Sequence, residues 1–407
     1  MQQNGVLRVS NATPAPPTRR PRLLVVASTF PATSGDGTPG FVRDLAEYES
    51  RHFDTLCVVP RTPGAPSRQI ASDTLTIEWF PYFPRRWEGV AHGAMIENMR
   101  DKAKLAQVPT FLLAELAAVR SAVRRFKPDV IHAHWVVPQG AAVILAAPGV
   151  PFVVTTLGGD LYALKGALPT RIKRAVVSRA SAFTTQNADM RDKLVDLGAP
   201  PERTHVMPVG ADLTTIRAAG EGVERVPGRL LFAGRLVEKK GVAVLLDALR
   251  DLPHEGWSLE VAGDGPLRAD LERRAAGLPV TFLGQCTRVE MARAMAAAEV
   301  VVVPSVPAAS GDQDGLPVVM LEAMGAGAAI VASRLPGLDE AVVDGESGVL
   351  VPPGDVTALR DTLGSLLADP ARRESLGKAA SVRAEEFSVE AMGEKFVGLL
   401  TEAMARR

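Results

Sequence analysis

From Pro21 onward the chain alternates short apolar runs with helix-patterned stretches, reaches a break, and then starts the same alternation again. The first series runs LLVVAS, the helical FVRDLAEYES, TLCVV, the long LLAELAAVRSAVRRF, DVIHAHW, PFVVTT, a basic helix around RIKRAVVSRA, SAFTTQ and THVMPV. Near-continuous apolar runs of this length are strands covered on both faces, and the intervening helices supply the cover, so the pattern demands a parallel, helix-coated α/β sheet. The polar, glycine-bearing stretch TTIRAAGEGVERVPG, residues 214–228, reads as a linker. After it come RLLFAG, GVAVLLDALRD, WSLEVAG, LRADLERRAAG, VTFLG, RVEMARAMAAA, EVVVVPS, a helix opening at DGLPVVMLEAM, AAIVAS and GVLVPP, a second doubly wound unit. The boundaries that follow are a disordered tail over 1–20, a Rossmann-like domain over 21–213, the linker, a second Rossmann-like domain over 229–386 and a C-terminal helix over 387–407. Two such sheets facing each other leave a cleft, and open parallel sheets bind ligands at the carboxyl ends of their strands.

A chain of 407 residues exceeds one ordinary core, and 46% hydrophobic with 23% charged residues is the balance of a globular protein. No apolar run reaches the roughly 18 to 20 residues of a spanning helix, and the N-terminus lacks the apolar segment of a secretory signal, so the expected location is the cytoplasm. Cys57 and Cys286 stand far apart without CxxC partners, which gives neither a disulfide framework nor a zinc site. The zero net charge divides unevenly: residues 1–215 carry 25 Lys and Arg against 18 Asp and Glu, and the remainder 21 against 28. A basic first half suits an anionic surface or ligand, although scattered solvated charges would give the same count.

The chemistry-bearing motifs all fall after a strand or at a helix start. In GRLVEKKG, Arg235 and Lys240 stand beside a helix N-terminus, where a guanidinium fork, an ammonium and backbone N–H groups together suit a diphosphate. GDGP, with Gly263 and Asp264, is a tight turn after the next strand and by itself is equally a plain connection. The loop SGDGTPGF holds Gly35, Gly37 and Gly40 in a literal GxGxxG, but its strand does not lead straight into it and no acid ends the second strand, so a glycine loop closing over phosphate or sugar fits better than a nicotinamide fingerprint. IHAHW puts His132 and His134 on one face of a strand; no third ligand is recognisable, which leaves proton handling in a cleft or a satisfied core histidine rather than a metal. In TTLGGD, Asp160 either enters the cleft or caps the next helix. In DGLPVVMLEAMGAG, Asp314 opens a helix and Glu322 follows eight residues on, with Gly315 and Leu316 between them.

Taken together, IHAHW, GRLVEKKG, GDGP and DGLPVVMLEAM with DEAVVDGESGVLVPPGD resemble the large retaining glycosyltransferase family of the GT-B fold usually called family four, over nearly the whole chain from Pro21 to about Pro353. The resemblance implies two Rossmann-like domains facing across a cleft, the first binding the acceptor and the second a nucleotide sugar. It implies that Arg235 and Lys240 hold the donor diphosphate, that Glu322 hydrogen-bonds the ribose, that Asp314 contacts the donor sugar and that His134 lies near the reacting centre. Gly37, Gly40, Asp160, Gly263, Asp264, Gly315 and Leu316 complete the expected donor site, with no cofactor and no metal.

Three residues depart from the family pattern: Asp314 stands for the usual Glu, Leu157 for the His of HGxD, and Val209 for the Asn of NGxD. The expected activity is sugar transfer to an acceptor hydroxyl in polysaccharide or glycolipid synthesis, the acceptor being a sugar or a lipid-linked sugar. A nucleotide-sugar epimerase of the same fold, a non-catalytic sugar-nucleotide binding protein and a nicotinamide oxidoreductase are the competing readings; nucleic acid is not an expected partner. WFPYFPRRWEG, with Arg85 and Arg86 among aromatic residues, adds an expected peripheral contact with anionic membrane at its inner face.

Overall fold

The structure, a computed structural model, describes residues 19–32, 38–92, 95–99, 101–253 and 255–406. Gly35 and Gly37 of the first glycine loop lie outside the described residues, as do residues 1–18 of the expected tail; Arg19 pairs with Asp129 at 2.9 Å.

Each series of apolar runs becomes one sheet. The first holds β1 (Arg22–Val26), β2 (Asp54–Pro60), β3 (Arg68–Ser72), β4 (Leu75–Phe80), β5 (Val130–His134), β6 (Phe152–Thr155), β7 (Ala182–Thr185) and β8 (Thr204–Val206), in the order β3-β4-β2-β1-β5-β6-β7-β8. Only β3 with β4 is antiparallel in it. The second holds β9 (Arg229–Ala233), β10 (Ser258–Ala262), β11 (Val280–Gly284), β12 (Val300–Val303), β13 (Ala329–Ser333) and β14 (Val349–Val351), all parallel, in the order β11-β10-β9-β12-β13-β14. Helices cover both faces, so alternate residues of one strand enter opposite cores: Leu24 and Val26 pack with Ile131 on one side, Leu23 and Val25 with Val130 on the other.

Strand order reverses at β1/β5 in the first sheet and at β9/β12 in the second. The loops leaving two such neighbours diverge to opposite faces and open a crevice at their carboxyl ends. Both crevices face the same space.

Three parts of the chain differ from the sequence expectation. The hairpin β3–β4 extends the first sheet beyond the expected strands, and it takes Trp79 and Phe80 into the core with Tyr82 behind them, 2%, 7% and 5% exposed. The stretch 214–228 is not wholly a linker: it begins in the helix Leu213–Gly220, whose Leu213 and Ile216 are buried and whose first turn is capped by Asp212. The C-terminal helix Val389–Ala405 returns to the first domain, burying Leu399, Leu400 and Ala403 against Leu23 and Val25, and Met392 and Phe396 against Leu45 and Val209. Its start is tied to the other crossing segment by backbone hydrogen bonds from Ala211 to Phe387 and from Val389 to Ala211.

Candidate functional site

A cavity of about 400 Å³ lies between the two sheets and is walled by the loops that leave the switch-point strands and their neighbours. From the first domain come Ser28, Gly40, Phe41, Trp135, Leu157 and Val209 among others; from the second come Arg235, Lys239, Lys240, Gly263, Asp264 and the run Asp312–Val319 with Glu322. The site expected from sequence therefore gathers in one place: Arg235, Lys240, Gly263, Asp264, Asp314, Gly315, Leu316, Glu322 and Gly40 all line this wall.

Glycine is required at two of these turns by backbone crowding. Gly263, at φ +136°, would place a Cβ 1.9 Å from the Gly234 carbonyl oxygen, and Gly241, at φ +67°, would place one 1.8 Å from that of Pro304. The close approach of neighbouring strand ends sets both residues, and it brings the Arg235–Lys240 loop beside the loop after β12.

Asp314 is 7% exposed, and its Oδ2 accepts hydrogen bonds from Lys240 Nζ at 2.9 Å and Ser305 Oγ at 2.7 Å. Burial pushes its carboxyl up, but Lys240, Lys239 and the two hydrogen bonds outweigh this and hold it below the usual range. Glu322 has no such hydrogen-bond partner among the described residues. Burial pushes it up to about 7, Arg288 pulls it down, and Asp44 and Asp212 push it up again. The helix Val318–Gly325 begins at Pro317, which has no N–H, so the backbone donors at this end come from Gly315, Leu316, Val318 and Val319.

Two expected site residues stand behind the wall. Asp160 is fully buried and accepts from Val136 N at 2.8 Å and Leu157 N at 3.4 Å, so it braces the loop after β5 instead of entering the cleft. His134 is 1% exposed and does not line the cavity; its ring stacks on His132 at 4.1 Å, and neither ring nitrogen has a partner among the described residues. His132 is held by Glu49 at 2.7 Å and Thr155 Oγ1 at 2.7 Å, and Thr155 meets Thr184 at 2.7 Å. Burial lowers His132 to about 3 and raises Glu49 well above its usual value, which makes this a neutral pair whose proton rests on Glu49. Trp135, next in the chain at φ 92°, is the residue that reaches the cavity. Gly37 lies outside the described residues.

Sequence reasoning missed three features. Lys239 stands 3.0 Å from Asp312 and 3.7 Å from Asp314, with both acids in the cavity wall. Arg288 reaches across the domains, forking onto Asp44 at 2.8 and 3.0 Å and bonding Asp212 at 3.0 Å. Asn187 donates to the carbonyls of Gly315 at 3.0 Å and Pro336 at 3.2 Å, closing the seam on the far side. The repeated lysine of EKKG was the only local signal for the first; the others are partnerships across more than 70 residues. Among the described residues no three His, Cys, Asp or Glu side chains stand close enough together to hold a metal, and no helix is long and apolar enough to cross a membrane.

Two family profiles match this chain, Glycosyl transferases group 1 over residues 227–369 and Glycosyl transferase 4-like domain over residues 36–210. The glycogen synthase of Mycobacterium tuberculosis (strain CDC 1551 / Oshkosh) is 32% identical over 391 residues, covering 89% of this chain and 90% of that one. Among solved structures, sucrose-phosphate synthase from Thermosynechococcus elongatus superposes with a TM-score of 0.74 at 21% identity, over 95% of this chain and all of that one. The complex of Anabaena HepE with UDP-glucose does so at 0.68 and 19%, over 94% and 99%. These neighbours share the two-domain GT-B architecture.

Proposed function

The chain belongs to the glycosyl transferases of group 1, and from that premise we propose that it moves a hexose from a nucleotide diphosphate sugar to an acceptor hydroxyl, with retention of configuration and without a metal. The observation that carries this reading is the convergence of Arg235, Lys240, Asp314 and Glu322 on one cavity between the domains. As the glycosidic bond breaks, positive charge grows on the sugar and negative charge on the departing diphosphate. Arg235, Lys240 and the N–H groups at Gly315, Leu316 and Val318 are donors already aimed at where that charge develops, which is the arrangement that lowers a barrier. Lys240 has three protons, so its bond to Asp314 leaves others for a phosphate oxygen. Glu322 receives the ribose diol, and Asp314, anchored through one oxygen, offers the other to the sugar. Lys239 Nζ occupies the position between Asp312 and Asp314 that a cation held by DQD would take, which supports chemistry run on side-chain cations.

The first-domain wall, with Ser28, Phe41, Trp135 and Leu157, is where an acceptor would enter, as a sugar or a lipid-linked sugar. A peripheral contact with anionic membrane belongs to the same reading but is narrower than the sequence suggests, since Trp79, Phe80 and Tyr82 are core residues. It rests on Trp87, 55% exposed with Arg86 stacked on it at 4.2 Å, and on the neighbouring helix Val108–Phe126, where Leu112 and Leu113 are exposed. Binding to vesicles rich in anionic lipid should weaken with salt and with Arg86→Ala.

The test of the activity is turnover on a panel of nucleotide sugars, UDP-glucose first, with EDTA present and the product's anomeric coupling read by NMR. Transfer with retained configuration in EDTA is expected. Inversion, or a loss with EDTA that a divalent ion restores, would refute the corresponding part of the proposal.

A further inference from the structure

The loop between β12 and the helix Val318–Gly325 carries the sequence SGDQDG, and its first acid is used by nothing in the mechanism above. The loop is fastened to the turn Glu238–Lys240: Val306 N donates to the Lys239 carbonyl at 2.8 Å, and Ala309 N to Glu238 Oε1 at 3.0 Å. This holds Asp312 at the cavity wall, 9% exposed, with its Oδ2 3.0 Å from Lys239 Nζ. Its Oδ1 is buried and has no hydrogen-bond partner among the described residues. A carboxylate oxygen left so is costly, because desolvation is not offset by any bond. Asp314, two residues on, has its own oxygens bound by Lys240 and Ser305 on one side and approached by Lys239 on the other. Of the two acids of this loop, the orphaned oxygen therefore belongs to Asp312, a residue of the cavity wall.

We propose that Asp312 and Lys239 recognise a hydroxyl of the transferred sugar, Oδ1 of Asp312 accepting its proton and Lys239 Nζ donating to its oxygen, and that the donor is a neutral hexose hydroxylated at that position. The proposal rests on the donor reading of this cavity. It excludes two donor classes. A sugar deoxygenated at the recognised carbon leaves Oδ1 unpaired, and a site built to bond a hydroxyl rejects the analogue that lacks it far more strongly than a hydrophobic pocket rejects a missing methylene. A uronic acid brings a third carboxylate to a loop whose two lysines already face two aspartates, and like charges brought together are repelled. Asp314, one methylene shorter than the family's Glu, is consistent with this division: held by Lys240, it leaves sugar contacts to be shared with Asp312.

Calorimetry separates the sugar contact from the rest of the donor. The affinities of wild type and Asp312→Asn are measured for UDP, GDP and ADP and for the glucose diphosphates of the same three nucleosides. Asp312→Asn should weaken the preferred nucleotide sugar by about 10- to 100-fold, the range for losing a hydrogen bond to a charged group, while the matching nucleoside diphosphate stays within about twofold. An equal loss for both would make Asp312 a clamp on its loop and overturn the assignment; so would no loss for either. Wild type alone gives a second arm that no folding defect can spoil. Of the 3-, 4- and 6-deoxyglucose analogues of the preferred donor, at least one should bind about 10-fold or more weakly, and the corresponding glucuronate should bind more weakly still. Parent-like binding of all three deoxy analogues, or a preference for the glucuronate, would overturn the proposal. Failure of the underlying donor reading shows differently: none of the three nucleoside diphosphates would bind to wild type.

Discussion

Under the proposed function, the protonation state of Glu322 decides how the free protein meets its donor. The half-buried Glu322 carboxyl is pushed up to about 7 by desolvation, with Arg288 acting the other way and Asp44 and Asp212 adding to the rise. A ribose diol donates two hydrogen bonds, which the carboxylate accepts and the carboxylic acid does not accept equally. A nucleotide sugar has no group titrating near pH 7, so donor affinity should rise about tenfold between pH 6 and pH 8 as Glu322 ionises, with a proton released on binding. Glu322→Gln should flatten this profile and weaken binding at pH 8. A wild-type affinity independent of pH would mean that Glu322 does not touch the donor as a carboxylate. Arg235 and Lys240 were legible in the sequence as cavity residues because they stand in the loop that leaves a strand, and Glu322 because it follows Asp314 in a helix-patterned run. Lys239 and Asp312 were not, since their pairing is made by the docking of one loop on another. His134 was legible only as a histidine near the cleft; burial of IHAHW over its whole length, 0 to 1% at both histidines, is a property of the packed sheet and the C-terminal helix.

At the scale of elements, the π-helical turn Val136–Gly140 sets a buried polar side chain against a neighbouring helix. Gln139, fully buried in it, donates to Glu115 of the helix Val108–Phe126 at 2.9 Å, and one oxygen of each side chain has no partner among the described residues. Burial raises Glu115 to about 8, with the bond from Gln139 acting the other way. The raised value means the folded protein keeps a proton that the unfolded chain releases near pH 4.5. Its contribution is therefore fully present below about pH 4.5 and is lost as pH rises through about 8, at about 1.4 kcal/mol per pH unit where the slope is steepest. Glu115→Gln removes the titration, so its melting temperature relative to wild type should increase from pH 5.5 to pH 8.5. A constant difference across that range would contradict the buried, protonated Glu115. Strands with an uninterrupted apolar run were legible from sequence; the hairpin β3–β4 was not, because RQIAS is mostly exposed and LTIEWF reads equally as a polar and aromatic surface loop.

For the whole molecule, the C-terminal helix joins the two domains through its apolar face, and polar contacts across the seam add to it beside the cavity. Arg288 ties the start of the helix Arg288–Ala297 in the second domain to Asp44 in the first and to Asp212 at the crossing, while Asn187 ties the first domain to the carbonyls of Gly315 and Pro336. Closure and the shape of the cavity are thus coupled through Gly315, which lines it and lies against Gln186 and Met190 of the first domain. Arg288→Ala should open the free protein, seen as a larger radius of gyration in X-ray scattering, and weaken donor binding by about tenfold, equivalent to ~1.4 kcal/mol. Unchanged scattering and affinity would mean that the pair does not govern closure. No motif announced this seam, because each of its partners is an ordinary charged or polar residue until the fold brings it across the cleft.

Stabilisation of a departing diphosphate by the cations converging on the cavity is the core of the proposed function. It is tested most directly by single-turnover release of nucleoside diphosphate from the preferred nucleotide sugar, measured at saturating donor in wild type, Arg235→Ala and Lys240→Ala, with folding checked by circular dichroism. Folded variants whose rates fall by about 10²- to 10³-fold are expected, the scale of losing a donor aimed at developing charge. Folded variants that release diphosphate at the wild-type rate would contradict it.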